Sequence, residues 1–227
     1  MKYFHELQEG LYDPHIFKAF FLAGGPGSGK SEVVRQTTGG LGMKLVNSDN
    51  EFERLLKQAG LSMKMPKSEE EPRNVQRDKA KDLTKARQKN YLEGRLGIII
   101  DGTGKDKDKI LRQSNELRLL GYDTHMVFVN TSMDVALQRN AMRDRSVPES
   151  IVIKSWKNVQ ANIGTFNQHF KGTMIIVDNN DPLETMAKDV FPKVWRIIRG
   201  LAKKKVVNTR AQNWISQETA RRNRKIR

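Results

Sequence analysis

The sequence predicts an α/β protein built on a parallel sheet of about five strands, with helices on both faces. Two observations lead there. Apolar runs of strand length recur along the chain, FKAFFLA (17–23), MKLVN (43–47), GIIID (97–101), HMVFV (125–129) and TMIIV (173–177), with helix-like segments between them. Strands apolar along their whole length are buried on both sides, as the crossover helices of a parallel sheet bury them. The first run also delivers the chain into GGPGSGKS (24–31), a glycine-rich turn followed by helix-forming residues 32–36. Ligands of such sheets bind beyond the carboxyl ends of the strands, so polar residues just past each apolar run are the candidates for function.

The helices carry their own signals. Residues 51–59 read as a helix with Gly60 as its stop. Residues 60–74 contain Pro66, Pro72 and three consecutive glutamates, and read as a loop or insertion. Residues 75–92 are rich in Lys, Arg, Gln and Ala, which predicts a long, mostly solvated helix. Further helices are expected over about 107–120, over 133–143, from Pro148 to about 169, and over 183–198. Trp156 and Trp195 sit in such segments among apolar neighbours and read as core residues.

Gly24, Gly25, Pro26, Gly27, Ser28, Gly29, Lys30 and Ser31 fill every fixed position of G-x-x-x-x-G-K-[ST], the phosphate-binding loop. A strand before it and a helix from Lys30 or Ser31 would aim backbone N–H groups and a helix N-terminus at a polyphosphate. Lys30 would reach the β- and γ-phosphates, and the Ser31 hydroxyl would ligate Mg²⁺. The alternative is an ordinary glycine-rich turn. With both flanks correct, the expected ligand is ATP, and the expected fold a three-layer α/β/α P-loop NTPase of the nucleoside-kinase-like kind.

Composition sets the surroundings. The 227 residues are 37% hydrophobic and 30% charged, enough apolar material for one sizeable core. No run approaches the roughly 20 apolar residues of a membrane span. The N-terminus lacks a signal-peptide apolar stretch, and there are no cysteines for disulfides or thiolate metal sites. These features suggest a cytoplasmic protein with no membrane partner. The formal net charge is +15, and residues 201–227 hold nine basic side chains against one acid, Glu218. Such a basic C-terminal tail either binds nucleic acid or is solvated and disordered. The kinase domain is expected over 1–200. His5, His15, His125 and His169 do not fall at metal-ligand spacing.

Three strand ends offer chemistry. The second leads into Asn47-Ser48-Asp49-Asn50-Glu51-Phe52, and the third ends in Asp101-Gly102-Thr103-Gly104. A carboxylate beside a transferred phosphoryl can accept the proton of an attacking hydroxyl, hold Mg²⁺, or orient the acceptor. Asp49 is the candidate base, against its other use as an N-cap for the helix near Glu51. Asp101 is a candidate metal or acceptor ligand, with Thr103 beside it on the acceptor side. After the fourth strand, Arg139 and Arg143 are four apart and would share a helix face, with Arg145 just beyond. They read as a phosphate-neutralising lid over 139–150, against the blander reading of a basic helix end.

Together GGPGSGKS, NSDNEF, IIIDGTG and QRNAMRDRSVPESIV resemble the kinase domain of bacteriophage polynucleotide kinase and its relatives, the zeta-toxin-like kinases. The resemblance spans about 17–180. It implies that Asp49 is the general base toward the acceptor hydroxyl. It also implies that Arg139 and Arg143 contact nucleotide phosphates, and that Asp101 lies near the acceptor, where zeta toxins usually have glutamate in an EGT triplet. The chain departs in having Phe52 where polynucleotide kinases carry arginine. Residues 60–92 match neither relative closely and are expected to shape the acceptor pocket. The expected function is ATP-dependent transfer of a γ-phosphoryl to a hydroxyl of a polynucleotide 5′ end, a nucleotide or a nucleotide-sugar. The competing reading is a non-kinase NTP-binding module that docks on nucleic acid through its tail.

Overall fold

Five strands form one all-parallel sheet: β1 (Lys18–Ala23), β2 (Lys44–Val46), β3 (Ile98–Asp101), β4 (Asp123–Asn130) and β5 (Met174–Asp178), in the order β2-β3-β1-β4-β5. The computed structural model describes residues 9–64, 66–143 and 147–225. All six residues of β1 are buried, because it lies at the centre with β3 on one side and β4 on the other. Phe21 stands opposite Ile100 and Met126 in this register. Successive side chains alternate between faces. Phe21, Ile98, Ile100 and Phe128 pack with Leu117, Phe166 and Phe170 on one side. Phe20, Leu22, Ile99 and Val127 pack with Val33, Val194 and Ile198 on the other.

The helices supply those layers. The short α1 (Glu9–Tyr12) precedes β1, and α2 (Lys30–Thr38) follows the glycine-rich turn. Between β2 and β3 come α3 (Ser48–Gln58), a 3-10 turn (Lys67–Glu69) and α4 (Glu70–Glu93), which packs along α3. The remainder are α5 (Lys107–Leu119), α6 (Met133–Ala141), α7 (Glu149–Ala161), α8 (Ile163–His169), α9 (Leu183–Thr185), α10 (Phe191–Lys203) and α11 (Thr209–Lys225). A π-helical turn at Met186–Val190 joins α9 to α10. Among the described residues, no helix is long and apolar enough to cross a membrane.

Four expectations shift. α4 starts at Glu70, inside the segment expected as a loop. Acids favour a helix N-terminus and proline is tolerated in its first turn, so Glu70, Glu71 and Pro72 begin a helix here. The stretch from Pro148 breaks at Asn162, whose side chain donates to Gly104 O (3.0 Å) and Lys105 O (3.2 Å). α6 ends at Ala141 rather than 143. There Asn140 turns the chain back by donating to Val147 O (2.7 Å) and accepting from Val147 N (3.1 Å).

The fourth shift concerns the C-terminal segment, for which disorder was one of the two expectations. Residues 209–225 are a helix docked on the domain. Ala211 is fully buried, and the Trp214 ring meets Phe17 edge-on at 5.5 Å. Alanine and tryptophan three apart give this basic helix an inward face, and apolar burial holds it there.

Candidate active site

The turn at 24–31 links the end of β1 to α2, and its shape depends on two glycines. Gly27 has φ 75°, and a Cβ there would lie 2.0 Å from Ala136 O of α6. Gly29, with φ 77°, is the N-cap of α2 and brings no side chain to cap the helix. The first-turn N–H groups are thus left to an anion. The Ser28 carbonyl is pulled the other way, accepting from Asn179 Nδ2 (2.7 Å) and Thr131 Oγ1 (3.2 Å). Trp156 Nε1 in turn donates to Thr131 O at 2.7 Å, so this tryptophan pins the loop rather than filling the core. Gly24 N donates to Thr103 O at 3.0 Å, tying the turn to the end of β3. Ser28 Oγ is buried with no protein partner, an orphan hydroxyl suited to a phosphate oxygen.

The chain brings four of the expected residues together around Lys30. Burial pushes the Lys30 ammonium below its ordinary pKa; the Asp101 and Asp49 carboxylates oppose that shift, and Arg143 adds to it. Asp101 is pushed up, first by burial and further by Asp49, with Lys30 opposing. Lys30, Asp49, Asp101 and Arg143 therefore share one electrostatic field, although they come from α2, α3, β3 and the turn after α6.

Asn47 organises the acids. It is the N-cap of α3, its Oδ1 accepting from Asp49 N at 2.7 Å while its Nδ2 donates to Asp101 Oδ2 at 2.7 Å. The cap role weighed for Asp49 therefore belongs to Asn47, two residues earlier. Sequence reasoning passed over Asn47 although asparagine is a favoured cap.

Arg139 has its Nη1 3.6 Å from where a Cβ on Gly29 would stand. Its guanidinium donates to Asn179 O (2.7 Å) and Asp181 O (3.0 Å), bracing the loop after β5. Arg143 is past the end of α6, so the two arginines do not share a helix face. Arg145 is outside the described residues. Ser31 is exposed on the first turn of α2.

Two further features were not foreseen. A groove of about 640 Å³ opens between the loop after β3 and α7, lined by Lys105, Lys107 and Lys154, by Asp106 and Asp108, and by Ser155 among others. Ser155 is 6% exposed and its hydroxyl has no partner. On the α3 side, Phe52 is buried, and the Arg77 guanidinium of α4 lies over its ring at 4.2 Å. Glu51 beside it is paired with Arg54 (2.9 Å) and with Arg87 of α4. α4 thus carries arginines to the region where the sequence showed none at position 52.

A central strand running into a phosphate-binding loop, with Asp101 ending the adjacent β3 and Asp49 following β2 beyond it, belongs to a P-loop kinase that acts on a hydroxyl acceptor. More narrowly, the chain belongs to the zeta toxin family, whose model matches residues 13–189. Its fold is similar to a "putative kinase" from Chloroflexus aurantiacus j-10-fl, at 16% identity over 82% of this chain and 98% of that one, with TM-score 0.56. It is also similar to the AvrRxo1-ORF1:AvrRxo1-ORF2 structure with sulphate ions, at 14% identity over 77% of this chain and 62% of that one, with TM-score 0.52. A gluconokinase from Sinorhizobium meliloti 1021 matches at 15% identity over 82% of this chain and 97% of that one, with TM-score 0.49. No curated protein matches the chain.

Proposed function

We propose that this kinase transfers the γ-phosphoryl of ATP to a hydroxyl of a phosphate-bearing small acceptor, a nucleotide or nucleotide-sugar, with Asp49 as general base. The observation that carries the proposal is that Asp49, Asp101 and Arg143 all act electrostatically on Lys30 of the phosphate loop, with Asn47 hydrogen-bonded to both Asp101 and the Asp49 backbone. The acceptor oxygen attacks Pγ, its proton passes to the Asp49 carboxylate, the bond from Pγ to the β–γ bridging oxygen breaks, and ADP leaves. Lys30 and the α2 N-terminus offset negative charge on the β- and γ-phosphates, and Arg143 adds a cation beside them. Arg139 Nη1 lies close to the Gly29 position and is assigned to the nucleotide side. Thr103 is assigned to the acceptor.

Ser31 and Asp101 are the oxygen donors for Mg²⁺, which takes one or two protein ligands together with phosphate and water. Burial is the main cause of the raised pKa of Asp101, and a cation beside it would offset that cost, so the donor set fits such an ion. When bound, the ion neutralises charge on the phosphates.

Two observations favour a small anionic acceptor over a polynucleotide 5′ end. The groove beside the loop after β3 has the volume of a small-ligand site, and Lys105, Lys107 and Lys154 outnumber Asp106 and Asp108 along it by one positive charge. The basic C-terminal helix, which inclined the sequence reading toward nucleic acid, docks at the opposite end of the sheet. Purified protein with γ-labelled ATP and Mg²⁺ should label a nucleotide-sugar or nucleotide more strongly than a 5′-hydroxyl oligonucleotide. Asp49→Ala should cut transfer by roughly 10²–10⁴-fold while ATP still binds. An Asp49→Ala protein as active as wild type, or labelling of the oligonucleotide alone, would overturn the proposal.

A further inference from the structure

The basic C-terminal segment has a defined place. Val207 N donates to Asp123 Oδ2 (3.2 Å) at the start of β4, where Asp123 already meets Lys18 at 2.6 Å. Asn208 Nδ2 donates to Arg118 O (2.8 Å), and Arg210 Nη1 to Leu119 O (2.9 Å). Trp214 rests on Phe17, just before β1. All these anchors lie at the amino ends of parallel strands, whereas the phosphate loop leaves the carboxyl end of β1. The six residues of β1 separate the two poles by about 20 Å.

The outward side of α11 has a pattern. Arg210, Asn213, Gln217, Arg221 and Arg224 follow one another at spacings of three and four, so they form one stripe, and each is exposed. Lys203, Lys204 and Lys205 are exposed at the elbow before it. The one acid of the segment, Glu218, is covered by Arg221 and Arg222, each at 2.9 Å. Next to Trp214, the Arg95 guanidinium stands 5.9 Å from the indole. Arg95 also lines a groove of about 400 Å³ with Lys85, Lys89, Leu92 and Leu120, its three cations set against the one acid Glu93. The surface thus combines several exposed cations, hydrogen-bonding amides and a basic-rimmed apolar groove. The apolar face of α11 is turned into the domain, so the helix has no apolar face left to bury in a lipid surface.

We propose that the α10–α11 elbow and the outward face of α11 form a nucleic-acid docking surface at the pole opposite the phosphoryl-transfer site. The cations contact backbone phosphates, and the amides add hydrogen bonds to phosphate or base edges. The surface holds the kinase on a polynucleotide without presenting that polynucleotide as the acceptor. This inference is independent of the acceptor reading and would survive its failure.

The test uses the full chain and fluorescent single-stranded and duplex oligonucleotides with 5′-phosphates, which offer no 5′-hydroxyl. Binding is followed by anisotropy across a KCl series. Wild type should bind with steep salt dependence, and Lys30→Ala should bind equally well. The combined variant K203Q/K204Q/K205Q/R221Q/R224Q should weaken binding roughly tenfold or more. It should also flatten the log–log salt slope by roughly 3.5 on the single strand and roughly 4.5 on the duplex, for five lost cations. All five side chains are exposed, and an unchanged melting temperature checks that the variant is folded. Equal affinity and slope for the variant would overturn the proposal, as would binding to anionic phosphatidylglycerol vesicles with none to either oligonucleotide.

Discussion

His125 sits in the middle of β4 with its ring stacked on Phe20 at 4.7 Å, and neither ring nitrogen has a protein partner. Burial, helped by the Lys18 cation and opposed by Asp123, holds its pKa down at about 4, against 6.5 ordinarily. Above pH 6.5 the imidazole is neutral in both folded and unfolded chains. Between about 6.5 and 4 the unfolded chain takes up a proton that the folded chain refuses, so stability falls as pH falls. Urea unfolding should show a loss of about 2 kcal/mol from His125 between about pH 7.5 and pH 5, removed in His125→Leu; the loss that remains there belongs to His169, whose pKa burial and Arg118 also push down. The lowered carboxylates, Glu32, Glu51 and Glu218, lose their stabilisation only below about 4.5, outside that window. A variant with the same acid sensitivity as wild type would remove His125 as the cause. The sequence showed that His125 belongs to an apolar strand; its lack of partners depends on what faces it.

At the scale of elements, the phosphate loop is shaped by its neighbours as much as by its own residues. Gly27 and Gly40 have similar φ angles, 75° and 78°, but different surroundings. A Cβ at Gly27 meets the backbone of α6 at 2.0 Å, while one at Gly40 meets nothing within 4 Å. Gly40→Ala should therefore cost only the left-handed backbone term, about 1–2 kcal/mol. Gly27→Ala should cost at least about 3 kcal/mol, because it adds a clash with backbone, and it should abolish nucleotide binding by separating the loop from α6. Urea unfolding and nucleotide titration compare the two, and equal costs would mean that α6 yields. Other elements show the limits of local reading. The motif was legible because its glycines, lysine and serine are consecutive. The start of α4 was misread because Pro72 resembles a breaker, although a proline just after two acids is a helix beginning. The Asn47 bridge was not legible, since its second partner, Asp101, is 54 residues away.

The whole molecule is polar in function. The groups proposed for phosphoryl transfer lie at the carboxyl end of the sheet, and the basic segment closes the amino end. Trp214, half-buried between Phe17 and Arg95, holds that closure. Trp214→Ala should cost about 2 kcal/mol, less than a fully buried tryptophan. It should also speed trypsin cleavage at Arg210 and Arg221 well before the domain unfolds. Limited proteolysis with mass spectrometry reads the sites; cleavage no faster than in wild type would show that α11 is held by its other contacts.

The sequence by itself determined the five strands, the parallel sheet, the phosphate loop and the residue types at the strand ends, because each is written in neighbouring residues and their periodicity. Tertiary structure alone decided which of those residues meet. It brought Arg143 into the field of Lys30, tied Arg139 to the loop after β5, gave the α3 cap to Asn47, and placed Arg77 over Phe52. It also carried the basic tail to the far pole. The reason is physical: electrostatic fields, hydrogen-bond bridges and helix docking depend on distances in space, which the packing of the layers sets and residue spacing does not.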